Sequence, residues 1–161
     1  MNKLAPLLFL VTLGAASFDH IDVGLKKTGR YIVNGYFSGG SKEVTSARLK
    51  DVRRGPQSAG AERVVFDLES TGGVPHFQVN VNPEEGRVLV SIWADVAYEH
   101  DEDRIRRSFS HSSKIKAVNI MPRVEDGLAT VELLLNSRSK AGTKVEAFAL
   151  THPSRIILDL L

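Results

Sequence analysis

Beyond residue 42 the chain alternates short apolar runs with polar, glycine-bearing breaks. Val44 to Val52 reads as a strand and ends at a Gly/Pro/Ser-rich turn, Gly55 to Gly60. Arg63 to Glu69 is a second, closed by Thr71-Gly72-Gly73. From His76 to Val81, Phe77, Val79 and Val81 alternate with His76, Gln78 and Asn80, the period of two of a half-buried strand. Asn82-Pro83-Glu84-Glu85-Gly86 makes a hairpin turn, in which proline fixes φ and glycine admits a positive one. Arg87 to Ala94 follows. The series then recurs as Lys114 to Met121, Leu128 to Leu135, Lys144 to Thr151 and Arg155 to Leu161. Pro122, Asp126-Gly127, Ala141-Gly142 and His152-Pro153-Ser154 punctuate it. The pattern predicts eight strands, four in each half.

The recurrence extends to residue identity. Arg63 leads into Val64-Val65-Phe66-Asp67-Leu68, Arg87 into Val88-Leu89-Val90-Ser91-Ile92, and Arg155 into Ile156-Ile157-Leu158-Asp159-Leu160. Arg87 falls on Arg155 at an offset of 68, and Val64 to Ser70 falls on Val131 to Ser137 at an offset of 67. A near-constant offset across separate segments indicates one all-β unit present twice. Two open sheets with one apolar face each can bury those faces against each other. The expected fold is therefore an all-β sandwich of two similar four-stranded sheets. Three consecutive apolar residues after each arginine suggest that these strands are covered on both faces in places.

Between the halves, Asp101 to Ser110 predicts a short helix. Its acids lie in the first turn and its arginines later, which suits the helix dipole. Ile105 and Phe109, four apart, share a face that would cover an end of the core. Residues 18–42 have no counterpart in the repeat and read as an N-terminal extension, either an added hairpin or a mobile linker. Ile21, Val23 and Leu25 alternate there like a half-buried strand, whereas glycines at 29, 35, 39 and 40 break the following apolar stretch. Gly39-Gly40-Ser41 marks the expected boundary before a sandwich over residues 43–161.

Residues 1–17 have the form of a cleavable signal peptide: Lys3, an apolar stretch from Leu4 to Leu13, then Gly14-Ala15-Ala16-Ser17. The stretch is shorter than the ~20 residues of a membrane span and contains Pro6. An exported, periplasmic protein that is not embedded in a membrane is expected. With no cysteine among 161 residues, no disulfide framework or thiolate metal site can exist, and the fold rests on its apolar core. A net charge of +2 gives no global field toward nucleic acid or anionic membrane. The charge is unevenly placed, with acids at Asp95, Glu99, Asp101, Glu102 and Asp103 and bases at Arg104, Arg106, Arg107, Lys114 and Lys116.

Little in this pattern points to catalysis. The histidines, His20, His76, His100, His111 and His152, form no HExxH pair, and the acids around His100 lack an EF-hand glycine. The serines near His111 sit in no GxSxG elbow, and Gly39-Gly40-Ser41-Lys42 lacks phosphate-loop spacing. No enzyme, metal or cofactor is expected. Binding groups are easier to name. Trp93, the only tryptophan, faces outward if Ile92 faces inward, where it could stack on a sugar ring or a partner loop. Alternatively it packs on Phe109 or Tyr98. Arg63, Arg87 and Arg155 occupy equivalent strand-entry positions, with Arg63 and Arg155 expected at equivalent places on the two halves, and an arginine fork matches carboxylates such as those of cell wall peptide stems. The same arginines would also serve as gatekeepers against strand aggregation.

Ala47-Arg48-Leu49, the run from Glu62 to Leu68 and the run from His152 to Leu161 together resemble the AMIN domain of periplasmic N-acetylmuramoyl-L-alanine amidases and type IV pilus secretins. The resemblance covers roughly residues 44–161. It implies two similar four-stranded sheets and a non-catalytic module that targets its host to peptidoglycan. The matching positions are Arg63, Asp67, Arg155 and Asp159; with Arg87 and Trp93 they are the expected ligand-binding residues. Ser91 departs from the pattern where its counterpart is Asp159, and residues 18–42 have no equivalent. AMIN domains are mostly attached to a larger effector, so a partner such as an amidase or a secretin is expected. Two functions follow, a peptidoglycan-binding targeting module or a protein-docking adaptor of an envelope complex that adds a strand at a sheet edge. A cell wall hydrolase would need a zinc or nucleophile site that the sequence does not offer.

Overall fold

The computed structural model describes residues 18–55, 60–121, 127–138 and 142–161. The signal-peptide reading, most of the turn after Gly55, and the breaks at Pro122, Asp126 and Ala141 lie outside these. The elements are β1 (Asp19–Asp22), β2 (Gly35–Gly39), β3 (Ser46–Arg54), β4 (Glu62–Glu69), β5 (His76–Asn82), β6 (Arg87–Trp93), β7 (Asp95–Tyr98), α1 (Glu102–Phe109), β8 (Ile115–Ile120), β9 (Ala129–Leu135), β10 (Val145–Thr151) and β11 (Ser154–Leu160). All eight repeat strands form within two residues of their expected bounds. So does the helix, capped by the Asp101 side chain accepting from the Arg104 N–H at 3.1 Å.

The strands make a six-stranded sheet, ordered β1-β2-β5-β6-β9-β8, and a five-stranded sheet, ordered β10-β11-β4-β3-β7. The expected sandwich is therefore present, with both sheets larger than four strands. Each contains four repeat strands, two from each half: β5 and β6 join β9 and β8, while β10 and β11 join β4 and β3. Exchanging the two halves turns one set into the other, so the halves interlock.

This correspondence reaches single residues. Arg87 pairs with Leu134 between β6 and β9, and Arg155 with Asp67 between β11 and β4; the offsets of 68 and 67 convert one pair into the other. In β3 the register slips between Leu49 and Asp51, and in β8 between Ile115 and Ala117. The skipped residues, Lys50 and Lys116, are thus the same bulge in the two halves.

The inward residues of both sheets form one core, including Leu49, Val64, Phe66, Phe77, Val79, Val88, Val90, Ile92, Val131, Leu133, Ile156, Leu158 and Leu160. Full burial of each of the larger side chains contributes ~1.5–3 kcal/mol. Ile105 and Phe109 of α1 join this core, and α1 contacts both β3 and β8, closing that side of the sandwich. On the opposite side, residues 18–32 cross from one sheet to the other. β1 pairs with β2 in parallel, so the segment is not a hairpin; Ile32 then bridges Val145 on edge strand β10. The Ala149 N–H donates to the Gly24 carbonyl at 3.4 Å, covering more of that edge. Ile21 is buried as expected, but Leu25 lies in this crossing and is exposed.

Candidate functional site

On β4 and β11 the register sets Arg63 opposite Asp159 and Arg155 opposite Asp67, so the four family-pattern residues face one another in crossed pairs. Arg63 grips Asp159 with Nε at 2.6 Å and Nη2 at 2.7 Å; Arg155 Nε reaches Asp67 at 2.8 Å. Arg53 of β3 donates to the other Asp67 oxygen at 2.6 Å, and Lys27 donates to Asp159 at 2.6 Å. Burial pushes the Asp159 carboxyl up, but the hydrogen bonds from Arg63 and Lys27 outweigh it and hold the acid below its usual range. The Asp159 bond raises Lys27 and Arg63 in turn.

These ion pairs roof a second apolar cluster on the outer face of the five-stranded sheet. Val65, Phe148 and Ile157 are buried there, and the Arg63 guanidinium lies 5.5 Å from the centre of the Phe148 ring. The expected two-faced burial of the arginine-led strands is therefore found on β4 and β11. Beside the cluster, the buried Glu146 accepts from the backbone N–H groups of Thr28 and Gly29 at 2.7 and 2.6 Å, tying down the crossing segment. Arg63 and Arg155 lie on adjacent strands of one sheet rather than at equivalent places in the two halves. At the offset of 67 the counterpart of Arg63 is Thr130, while the counterpart of Arg155 is Arg87. Arg87 sits on the other sheet and pairs with Glu85 and, at 3.5 Å, with Glu132.

The outer face of the six-stranded sheet is different. His76, Gln78 and Asn80 of β5 and Leu89 and Ser91 of β6 are half-buried, and no element packs over them among the described residues. Trp93 ends this face 40% exposed. Its ring lies tilted against that of its cross-strand partner His76, centroids 5.2 Å apart, rather than on Phe109 or Tyr98. The His76 Nδ1 lies 3.0 Å from the Gly39 carbonyl, which can only accept, so the Nδ1–H donates to it. Gly40, at φ +78°, lets the chain pass the Pro75 carbonyl, bringing Lys42 beside both rings. Trp93, His76 and Lys42 line a shallow cleft of about 290 Å³. Lys42 has no carboxylate partner among the described residues. Farther along the face, His20 stacks on Tyr36 at 4.3 Å. Of the expected site residues, Trp93 alone presents a free polar-aromatic surface; His76 and Lys42 were missed. The signal for His76 was the register of a tight hairpin, which sets it opposite Trp93; nothing local signalled Lys42.

Among the described residues no cluster of His, Asp and Glu could hold a metal ion, and no helix is long and apolar enough to cross a membrane. Comparison with protein-family models, with curated proteins and with solved structures found no match.

Proposed function

We propose that this protein is a non-catalytic, periplasmic peptidoglycan-binding module of AMIN type, and that its glycan surface is the outer face of the six-stranded sheet around Trp93. The observation that carries this reading is the Trp93–His76–Lys42 cleft. An aromatic plate offers a flat apolar surface to the C–H face of a sugar ring, and the neighbouring amides and hydroxyls of Gln78, Asn80 and Ser91 suit its polar rim. Lys42, without a carboxylate partner among the described residues, lies beside the plate and suits the carboxylate of a muramyl or peptide-stem group. The interlocked repeat also matches the paired sheets that the family resemblance implies. Arg63, Arg155 and Arg87 already hold carboxylates of the protein itself, which leaves Trp93 as the better anchor.

Co-sedimentation of the purified protein with intact sacculi tests the proposal. Trp93→Ala should weaken binding about tenfold or more, as loss of an aromatic anchor does, while leaving the melting transition in place. Lys42→Glu should weaken it further. A parent protein that does not co-sediment removes the peptidoglycan reading. A Trp93→Ala variant that binds like the parent moves the site elsewhere. The periplasmic part has its own check: the envelope form should begin near Ser17, and a full-length cytoplasmic product would refute export.

A further inference from the structure

The repeat places two strand edges in equivalent positions on the α1 side of the sandwich, and among the described residues only one of them carries a further strand. In the five-stranded sheet, β7 lies parallel along the start of β3, pairing Ser46 with Asp95 and Leu49 with Tyr98. Just beyond it, Glu99 pairs with Lys50 and, at 3.2 Å, with Arg48. In the six-stranded sheet the equivalent strand is β8, which ends the sheet. The bulge that aligns Lys50 with Lys116 also aligns Arg48 with Lys114. These two lysines keep the cationic character of their counterparts, yet neither has a carboxylate partner among the described residues.

The free part of the β8 edge can be located from its hydrogen bonds. The Met121 N–H donates to the Thr130 carbonyl at 2.9 Å, so Asn119 and Ala117 also face β9, while the main-chain groups of Val118 and Ile120 turn outward. The equivalent outward N–H in β3, that of Arg54, is bonded by Ser108 of α1 at 2.9 Å. At the start of β8 the equivalent of the β7 seat is occupied: Ser112 and Ser113 bond the buried Glu62, and Asn136 bonds their carbonyls. Val118 and Ile120 instead open onto a groove of about 650 Å³ between β8 and α1, floored by Ile105 and Phe109 and flanked by Lys116.

We propose that this groove takes an extended segment of a partner protein, which adds to β8 as an extra strand and carries an apolar residue followed by a carboxylate. The main chain of Val118 and Ile120 supplies the hydrogen bonds, Ile105 and Phe109 receive the apolar side chain, and Lys114 and Lys116 receive the acid, as Arg48 and Lys50 receive Glu99. Strand addition draws its affinity from main-chain bonds and its specificity from such alternate side-chain pockets. The proposal does not depend on glycan binding, because it uses the main chain of the β8 edge, two strands away from Trp93 on β6.

A peptide copying residues 94–100, which contains the strand seated on the equivalent edge, is the probe. Titrated into isotopically labelled protein, it should shift and protect the Val118 and Ile120 amides and shift residues of α1. The Lys114→Glu, Lys116→Glu double variant should bind it about tenfold more weakly, since reversed charges at an interface repel the wrong partner. A peptide with Asp95→Lys and Glu99→Lys should show the inverse preference and bind the double variant better than the parent. Val118→Pro, which removes an outward N–H on an edge strand, should also reduce binding. Shifts confined to another surface, equal binding of both peptides, or no shift at any soluble peptide concentration would overturn the proposal. So would a concentration-dependent dimer through this edge in the absence of peptide, since the occupant would then be a second copy of the chain.

Discussion

Replacing Asp159 by asparagine should reveal how much of the stability of the five-stranded sheet resides in one buried acid. Asp159 is 1% exposed and accepts three hydrogen bonds from cationic groups, at 2.6 and 2.7 Å from Arg63 and 2.6 Å from Lys27. A hydrogen bond to a charged group contributes ~1.5–3 kcal/mol, and desolvation of the acid cancels part of the sum. Asparagine keeps the shape and one acceptor but removes the counter-charge that Arg63 grips and leaves Lys27 only Glu146, at 3.9 Å. The expected loss at pH 7 is about 2–4 kcal/mol, read in urea as a midpoint lower by roughly 1–2 M at an unchanged slope. Asp67→Asn is the internal control: its partners Arg53 and Arg155 are 29% and 34% exposed, so its pairs are worth ~0–1 kcal/mol. The pH dependence has a definite sign. The folded-state pKa of Asp159 is depressed, so its stabilisation is present above the unfolded value of ~3.9 and is lost as pH falls through the folded value. The gap between parent and Asp159→Asn should therefore close in acid. Equal costs for Asp159→Asn and Asp67→Asn, or a gap that persists undiminished in acid, would refute the reasoning.

Ending the chain after Ser154 removes Ile156, Leu158 and Leu160, each 0% exposed on a strand held between β10 and β4. At ~1.5–3 kcal/mol each, their loss approaches the ~5–15 kcal/mol that holds a domain of this size together. Calorimetry should show no cooperative transition; one near the parent temperature would contradict the strand order. At Gly35, φ is +131° and a Cβ would lie 2.0 Å from the Asp19 carbonyl oxygen. Gly35→Ala should detach β1 from β2, and hydrogen exchange should rise over residues 18–23 with the core unchanged. Unaltered protection there would mean that the strand pair tolerates the clash.

The alternation of Phe77, Val79 and Val81 and the turn chemistry at Asn82-Pro83 made the repeat strands legible, because both signals are local. The interlocking of the halves was not legible. An offset shows that two segments are equivalent but carries no information on which becomes the neighbour of which. For the same reason Arg63 and Asp159, which read as separate motif residues, became partners only through the β4–β11 register. The acids Asp95 and Glu99 masked β7, a strand with the single deeply buried apolar residue Val96. The glycines of residues 29–40 masked β2, which needs them to pass close to Asp19 and Pro75. Strand parity left Trp93 either outward or packed on Phe109 or Tyr98, and the register decides for the outward face; the cation beside it arrives from a loop 51 residues earlier, beyond the reach of any local pattern.

Because each sheet draws strands from both halves, the N-terminal half cannot complete a sheet when it is made. Arg63 of β4 waits for Asp159, 96 residues later, and at ~5–20 residues per second of synthesis the delay is roughly 5–20 s. Throughout it, the edge of Val64-Val65-Phe66 that faces away from β3 lacks its native partner and is flanked by the charges of Arg63 and Asp67. Pulse-labelled hydrogen exchange during refolding should accordingly show β4 and β11 gaining protection in one phase. The two sheets thus become native together rather than in succession.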